Sequence, residues 1–354
     1  MTPSRTAPSM SRRGLLTLGG ALGAGALLAA CGKDDKSDKG AGNRAGDPSG
    51  PGGQRGPWTF RDDRGVTARA ESTPRNIVAY VGTAAALHDF GVECVGVFGP
   101  TKRKDGRPEV LAGELDVDKT TVIGDTWGEF SIERYAALRP DLLVTNMYAK
   151  DDLWFVPEDS REKILDLSPN VVGLAVSHTS LPAVVQRYAA LAASLGADLG
   201  SRRVTDAKAR FERASESLRR AAGERRGLRV LAVSASNDLL YVSDPKVYAD
   251  LTYFKELGVE LVTPDKVSGQ GFFENLSWEN ADAYDADLIL LDNRSQSLQP
   301  ADLKAKPTWR RLPAVRAGQV VPWAYEPRLS YAGFAPHLEA LAKAVREARE
   351  VKGG

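Results

Sequence analysis

Tyr80, Arg103, Trp127, Tyr148 and Trp154 in the first half of the chain, and Phe272, Phe273, Arg294, Trp323, Tyr325, Arg328 and Tyr331 in the second, suit gripping a small molecule rather than transforming it. Aromatic faces pack against apolar chains, while arginine and tyrosine donate hydrogen bonds to oxygens. Arg294, directly after a strong strand, is the first choice among the arginines. Arg103 and Arg107 lie in the charge run "KRKDGR", which equally fits a solvated loop. Trp127 fits a cleft or a core. Carboxylates abound without forming a recognisable acid/base pair. The sequence holds no G-x-S-x-G elbow and no P-loop, and only Gly82 follows "NIVAY", too little for a dinucleotide fingerprint. The three histidines, His88, His178 and His337, are scattered with no i, i+4 pair, so no protein-built metal cage is expected and each reads as a helix or loop residue.

Most of these side chains follow short apolar runs that read as strands: "NIVAY" (76–80), "VECVGVF" (92–98), "DLLVTN" (141–146), "RVLAVSA" (229–235), "DLILLDN" (287–293) and "QVVPW" (319–323). Amphipathic stretches alternate with them, among them "AAALHDFG", "SIERYAALRP", "VYADLTYFKELG" and "WENADAYDA". That alternation predicts stacked βα units with mostly parallel sheets, whose ligands lie beyond the carboxyl ends of the strands. With 354 residues the chain exceeds a single core, so two α/β lobes are expected, over 58–200 and 223–354. Residues 183–223 read as helix interrupted near Gly196 and Gly200. The part from 201 to 222 carries Val204, Ala207, Phe211, Ala214 and Leu218 on one stripe and predicts a connecting spar.

The first 30 residues differ in kind. Arg12 and Arg13 precede an uncharged run from Gly14 to Ala30 that is too short to span a bilayer, and the run ends in Leu28-Ala29-Ala30-Cys31. This resembles a signal peptide with a lipobox, cleaved before an acylated Cys31; "SRRGLL" resembles a twin-arginine export signal. Removal of residues 1–30 leaves 44 basic and 46 acidic residues, a formal charge of −2, and no basic footprint for nucleic acid. Cys94 is then alone, which excludes an internal disulfide. Residues 32–57 contain no apolar residue larger than Ala, Pro apart, and read as a flexible tether of roughly 25–30 Å mean reach.

Two segments echo each other. "SIERYAALRPDLLVTN" and "SWENADAYDADLILLDN" both place Glu two positions after Ser, in the first turn of a short helix that feeds a strand. Alone, Glu133 and Glu279 would simply favour their helix N-termini; as a pair they also fit contact points for one partner bridging both lobes.

With "TPRNIVAY", the two echo segments, the mid-chain helix and "WRRLPAVRAGQVVPW", residues 58–350 resemble the ABC-transporter binding proteins for iron-siderophores and vitamin B12. The segments from "WTFRDDRG" to "VIGDTWG" are most similar to actinobacterial hydroxamate-siderophore lipoproteins of the ferrioxamine and coelichelin type. The resemblance implies two Rossmann-like lobes joined by a single long α-helix, the class III solute-binding architecture. It implies a monomeric receptor without enzymatic activity or cofactor, lipid-anchored on the outer face of the cell membrane. Such a receptor delivers a ferric siderophore to a permease and its ATPase. Iron would be held by the siderophore and not by the protein, Glu133 and Glu279 match the family's permease-docking positions, and Trp278 and Trp309 belong to framework segments. Haem, cobalamin or a catecholate siderophore as ligand remain open, as do an α/β metal-chelate enzyme and a surface adhesion lipoprotein.

Overall fold

The computed structural model describes residues 56–268 and 271–351. The expected signal peptide, Cys31 and the tether up to residue 55 lie outside the described residues. The chain enters through an antiparallel hairpin of β1 (Trp58–Arg61) and β2 (Thr67–Ala70). A five-stranded parallel sheet follows, built from β3 (Ile77–Tyr80), β4 (Gly96–Phe98), β5 (Thr121–Gly124), β6 (Leu142–Met147) and β7 (Val171–Ala175) in the order β5-β4-β3-β6-β7. Helices on both faces bury every residue of β3 and β6, which is why those strands are continuous apolar runs.

The helices of this half are α1 (Val81–Phe90), α2 (Ile132–Ala137), α3 (Arg161–Asp166) and α4 (Leu181–Ser194). Ser131 caps α2, its hydroxyl accepting the Arg134 N–H. The free edge of β7 is closed by the turn of the entry hairpin. Asp63 N–H donates to Gly173 C=O at 3.1 Å, while the Asp62 and Asp63 carboxylates accept the N–H groups of Gly173 and Ala175 at 3.1 and 2.9 Å. An edge strand's unpaired backbone is thereby satisfied within the chain.

Helix α5 (Arg202–Glu224) then leads into the second sheet. Its predicted stripe is buried at Val204, Phe211, Ala214 and Leu218, with Ala207 half-buried. The second sheet comprises β8 (Arg229–Ala235), β9 (Leu239–Ser243), β10 (Glu260–Leu261), β11 (Phe273–Ser277), β12 (Leu288–Asp292) and β13 (Val320–Trp323). Its order is β11-β9-β8-β12-β13, with β10 beside the start of β8. Here the expectation of parallel strands fails in part, since β9 and β11 run antiparallel. The tight turn Ser236–Asp238 folds β9 straight back on β8, with Ser236 N–H donating to Leu239 C=O at 2.9 Å, and so leaves no room for a crossover helix.

Period-two alternation assigns Val230, Ala232, Leu288 and Leu290 to a core shared with the first half, and Leu231, Val233, Ile289 and Leu291 to a separate outer core. Around this sheet pack α6 (Ala249–Glu256), the short α7 (Pro300–Leu303), α8 (Pro307–Arg311) and α9 (Pro313–Arg316), and α10 (Tyr331–Glu347). Helix α10 lies against α5; the Phe211 ring of α5 meets Tyr331 of α10 edge-on and stacks on Tyr253 of α6. The echo of α2 in the second half is a single 3-10 turn at Trp278–Asn280 rather than a helix. Asn280 closes this turn and Asp282 and Asp285 follow it, residue types with low helix propensity.

Candidate functional site

A cavity of about 290 Å³ opens between the two halves. Tyr148, Ala149, Asp152 and Trp154 line it from the N-terminal side; Tyr248, Phe272, Phe273, Arg294, Tyr325 and Glu326 line it from the other. The lining follows the carboxyl ends of parallel strands: Tyr148 comes directly after β6, Arg294 two residues after β12, and Tyr325 two residues after β13. The aromatic rings form a continuous arc. Trp127 meets Trp154 at 4.8 Å, Trp154 meets Tyr148 at 4.8 Å, Tyr148 meets Phe272 at 6.3 Å and Phe272 meets Tyr248 at 6.2 Å, mostly edge to face. Tyr248 and Tyr325 close it with ring centroids 5.2 Å apart and hydroxyls 2.5 Å apart.

Arg294 is the chemical centre. Its Nε and Nη2 engage Asp292, Nη2 at 2.8 Å, its Nη1 donates to Glu326 at 2.6 Å, and its guanidinium lies 3.7 Å from the centroid of the Tyr325 ring. Burial alone would push the Arg294 pKa down, but the charges of Glu326 and Asp292 outweigh it and drive it up, so the guanidinium stays charged. Asp292 is fully buried and also accepts the Ser234 hydroxyl at 2.7 Å. An arginine offers five N–H donors, and these bonds leave donors over for a ligand. From the opposite side the Tyr80 hydroxyl donates to Glu326. The Tyr80 ring packs over Gly99, where φ is +98° and a Cβ would lie 2.5 Å from the ring. Burial and then the Glu326 charge raise the Tyr80 pKa well above its ordinary value, keeping the hydroxyl a donor.

The structure thus gathers Tyr148, Trp154, Phe272, Phe273, Arg294 and Tyr325 into one lining, with Tyr80 beneath through Glu326 and Trp127 at the rim, 61% exposed. Four other expected contacts sit elsewhere. Trp323 is still part of β13, so its side chain points to the face of the sheet, where it is 3% exposed and donates to Asp250 at 2.6 Å. Tyr331 opens α10 and packs on Phe90 and Phe211 beside α5. Arg328 turns to Asp89, with Nη1 to Oδ1 at 3.1 Å. Arg103 faces Glu109, with Nε to Oε2 at 3.7 Å. The sequence reading missed Tyr248, Asp152, Asp292 and Glu326; an acid directly after "LILL" was the available signal for Asp292. Trp309 is core, whereas Trp278 is half-buried, its indole N–H donating to Ser236 and Asn237 C=O.

Glu133 and Glu279 are both exposed, in the first turns of α2 and of the 3-10 turn. The backbone N–H of Glu279 and then the Ser277 side chain hold the Glu279 carboxyl below its usual range. Among the described residues no group of side chains could hold a metal ion.

A smaller cavity of about 220 Å³ behind Trp323 contains Asp250 and His337. Burial pushes the Asp250 pKa up to about 6, and burial, then Arg328, lowers that of His337 to about 4. The folded protein therefore binds more protons at Asp250 than the unfolded chain between about pH 4 and 6, and stability from this group falls as pH rises there. At His337 the unfolded chain binds more, so stability rises between about pH 4 and 6.5. The two slopes oppose each other. Asp250→Asn, whose amide oxygen can still accept from Trp323, is expected to expose the His337 slope as a Tm that climbs more steeply than wild type across this window. An unchanged pH profile of Tm would refute the assignment.

A sequence model of the family described as periplasmic binding protein matches residues 78–326. The solved structure of DesE, a ferric-siderophore receptor protein from Streptomyces coelicolor, is 49% identical with a TM-score of 0.81, and the match covers 83% of this chain and 100% of that one. FeuA from Bacillus subtilis, a triscatecholate siderophore binding protein solved with ferri-bacillibactin, matches over 82% of this chain and 96% of its own with a TM-score of 0.58. At 18% identity it shares the fold alone. The Fe(3+)-citrate-binding protein YfmC of Bacillus subtilis is 21% identical over 262 residues, covering 74% of this chain and 76% of the relative. These proteins are receptors and binding proteins rather than enzymes.

Proposed function

Because this chain belongs to the periplasmic binding protein family, a family of extracytoplasmic receptors, we propose that it captures a ferric siderophore of the hydroxamate class in the cavity between its lobes and delivers it to an ABC permease. The observation that carries the choice of ligand is the charge state of the cavity. Arg294 is the one cation among the described residues that line it, and Asp292 and Glu326 already compensate that charge, with Asp152 adding a further carboxylate at the wall. Such a site favours a neutral complex over an anionic one. Three hydroxamates neutralise iron(III), whereas three catecholates leave three negative charges. Aromatic walls pack the methylene chains of the siderophore, and the spare Arg294 donors bond its oxygens. The 49% identity to a ferric-siderophore receptor supports the same reading.

Delivery follows from the same proposal. Cys31 carries a lipid after export, by the twin-arginine route, and residues 32–57 separate that anchor from the body in sequence. Glu133 and Glu279 are the docking residues for the permease, and the importer's ATP cycle parts the lobes.

Trp154 lines the cavity and Trp127 adjoins it, so ligand entry is expected to quench intrinsic fluorescence. Titration of the mature protein with ferric hydroxamates, ferric catecholates, haem and cobalamin tests the proposal. Submicromolar quenching by hydroxamates and none by the others is expected. Silence from every hydroxamate overturns the ligand class, and tight catecholate binding overturns the charge argument.

A further inference from the structure

We infer that Glu109 is a positioning residue for ligand binding: from the N-terminal lobe it holds the loop that carries Arg294 in the other lobe, so the arginine site is complete only while the lobes stay together. The inference rests on the reading that Arg294 contacts the ligand. Glu109 is 3% exposed and sits just before the 3-10 turn Val110–Ala112, its own N–H fixed to Thr101 C=O at 2.9 Å. Its Oε1 accepts the backbone N–H of Ser295, the residue after Arg294, at 3.1 Å. Its Oε2 has no hydrogen-bond partner among the described residues; the Arg103 Nε, at 3.7 Å, contributes charge but no bond. A carboxylate this buried is costly unless its contacts require it. The hydrogen bond that its side chain makes crosses to the other lobe.

On the C-terminal side the same loop is tied by Asp292, which accepts the Arg294 N–H at 3.0 Å. Gln299 adds a bond from Nε2 to the Arg294 C=O at 2.9 Å, and Ser297 N–H donates to that carbonyl at 3.1 Å. From the N-terminal lobe two groups converge on the arginine: Tyr80 through Glu326 and the guanidinium, Glu109 through the adjoining peptide. Parting the lobes breaks both at once. The loop is then released on one side, and the donors of Arg294 lose the geometry that serves the ligand. Ligand release is thus wired to opening by two named hydrogen bonds.

The test is a fluorescence titration with ferrioxamine of Glu109→Ala and Glu109→Gln, each alone and combined with Arg294→Lys, which keeps a cation between the carboxylates and so preserves the fold. Glu109→Ala is expected to weaken binding about 5- to 10-fold, mainly through faster dissociation. Glu109→Gln, whose amide oxygen still accepts from Ser295, is expected to stay within about 2-fold of wild type. In the Arg294→Lys background the loss from Glu109→Ala is expected to shrink below about 2-fold, the signature of coupling. Wild-type affinity in Glu109→Ala, an equal loss in Glu109→Gln, or a loss undiminished in the Arg294→Lys background overturns the inference while leaving the site intact. Wild-type affinity in Arg294→Lys alone overturns the site reading, and this inference with it.

Discussion

Arg294→Met is expected to be the most damaging single substitution in the cavity, lowering folding stability by about 3–5 kcal/mol and removing siderophore binding. The stability loss follows from what remains: Asp292 is fully buried and Glu326 is 8% exposed, and without the guanidinium two carboxylates face each other in a low dielectric. The binding loss follows from the missing donors. Arg294→Lys separates the two effects. A lysine ammonium still neutralises the carboxylates, so most of the stability should persist, but it lacks the planar fork and cannot lie flat on Tyr325, so affinity should fall by at least about 10-fold. Denaturant unfolding and fluorescence titration of both variants check this. Equal stability of Arg294→Met and wild type would refute the burial argument, and equal affinity of Arg294→Lys and wild type would remove Arg294 from the site.

Glu133→Ala combined with Glu279→Ala is expected to stop uptake in cells while leaving the purified receptor's affinity unchanged. Both side chains are exposed and neither lines the cavity. Charge pairs at a protein interface contribute about 1.5 kcal/mol or more each, so losing two weakens docking by roughly 100-fold. Uptake of radiolabelled ferric siderophore, set beside the titration, reads the two properties separately. Weakened binding by the purified double variant would mean that these residues act on the ligand site, and undiminished uptake would mean that the permease docks elsewhere.

Where the sequence was legible, physical chemistry made it so. Strand β8 matches "RVLAVSA" residue for residue, and β12 and β13 lie inside "DLILLDN" and "QVVPW", because strands between helical layers must be apolar on both faces. Strands β9 and β11 escaped notice because "LLYVS" and "FENLS" pair antiparallel at one side of the sheet and keep several half-buried or exposed positions. At the site, the aromatic residues that follow strands were readable, since large rings in loops need a reason to be there. Asp292 had only its place directly after "LILL" as a signal, and Glu326 had none. A carboxylate reads as surface until the arginine that neutralises it is placed opposite, and Glu326 meets Arg294 across 32 residues of sequence. Trp323 misled for a simpler reason: as the last residue of its strand it keeps its side chain on a face of the sheet, buried against Asp250, and only Tyr325, two residues on, reaches the cavity.

The core shared by the two halves bears on how a ligand leaves. Apolar side chains run without a break from the five-stranded sheet through α5 and α10 to the inner face of the second sheet, where Val230, Ala232, Leu288 and Leu290 belong to the same cluster as Val78 and Leu143. The joint between the lobes is therefore greased on the inside, and prising it apart wets what was dry. Each 100 Å² of apolar surface so uncovered costs about 2.5 kcal/mol, enough to make the parted form some 70-fold rarer. A loaded receptor that has met no partner keeps its cargo by default, and the work of emptying it must be done by whatever machine it meets.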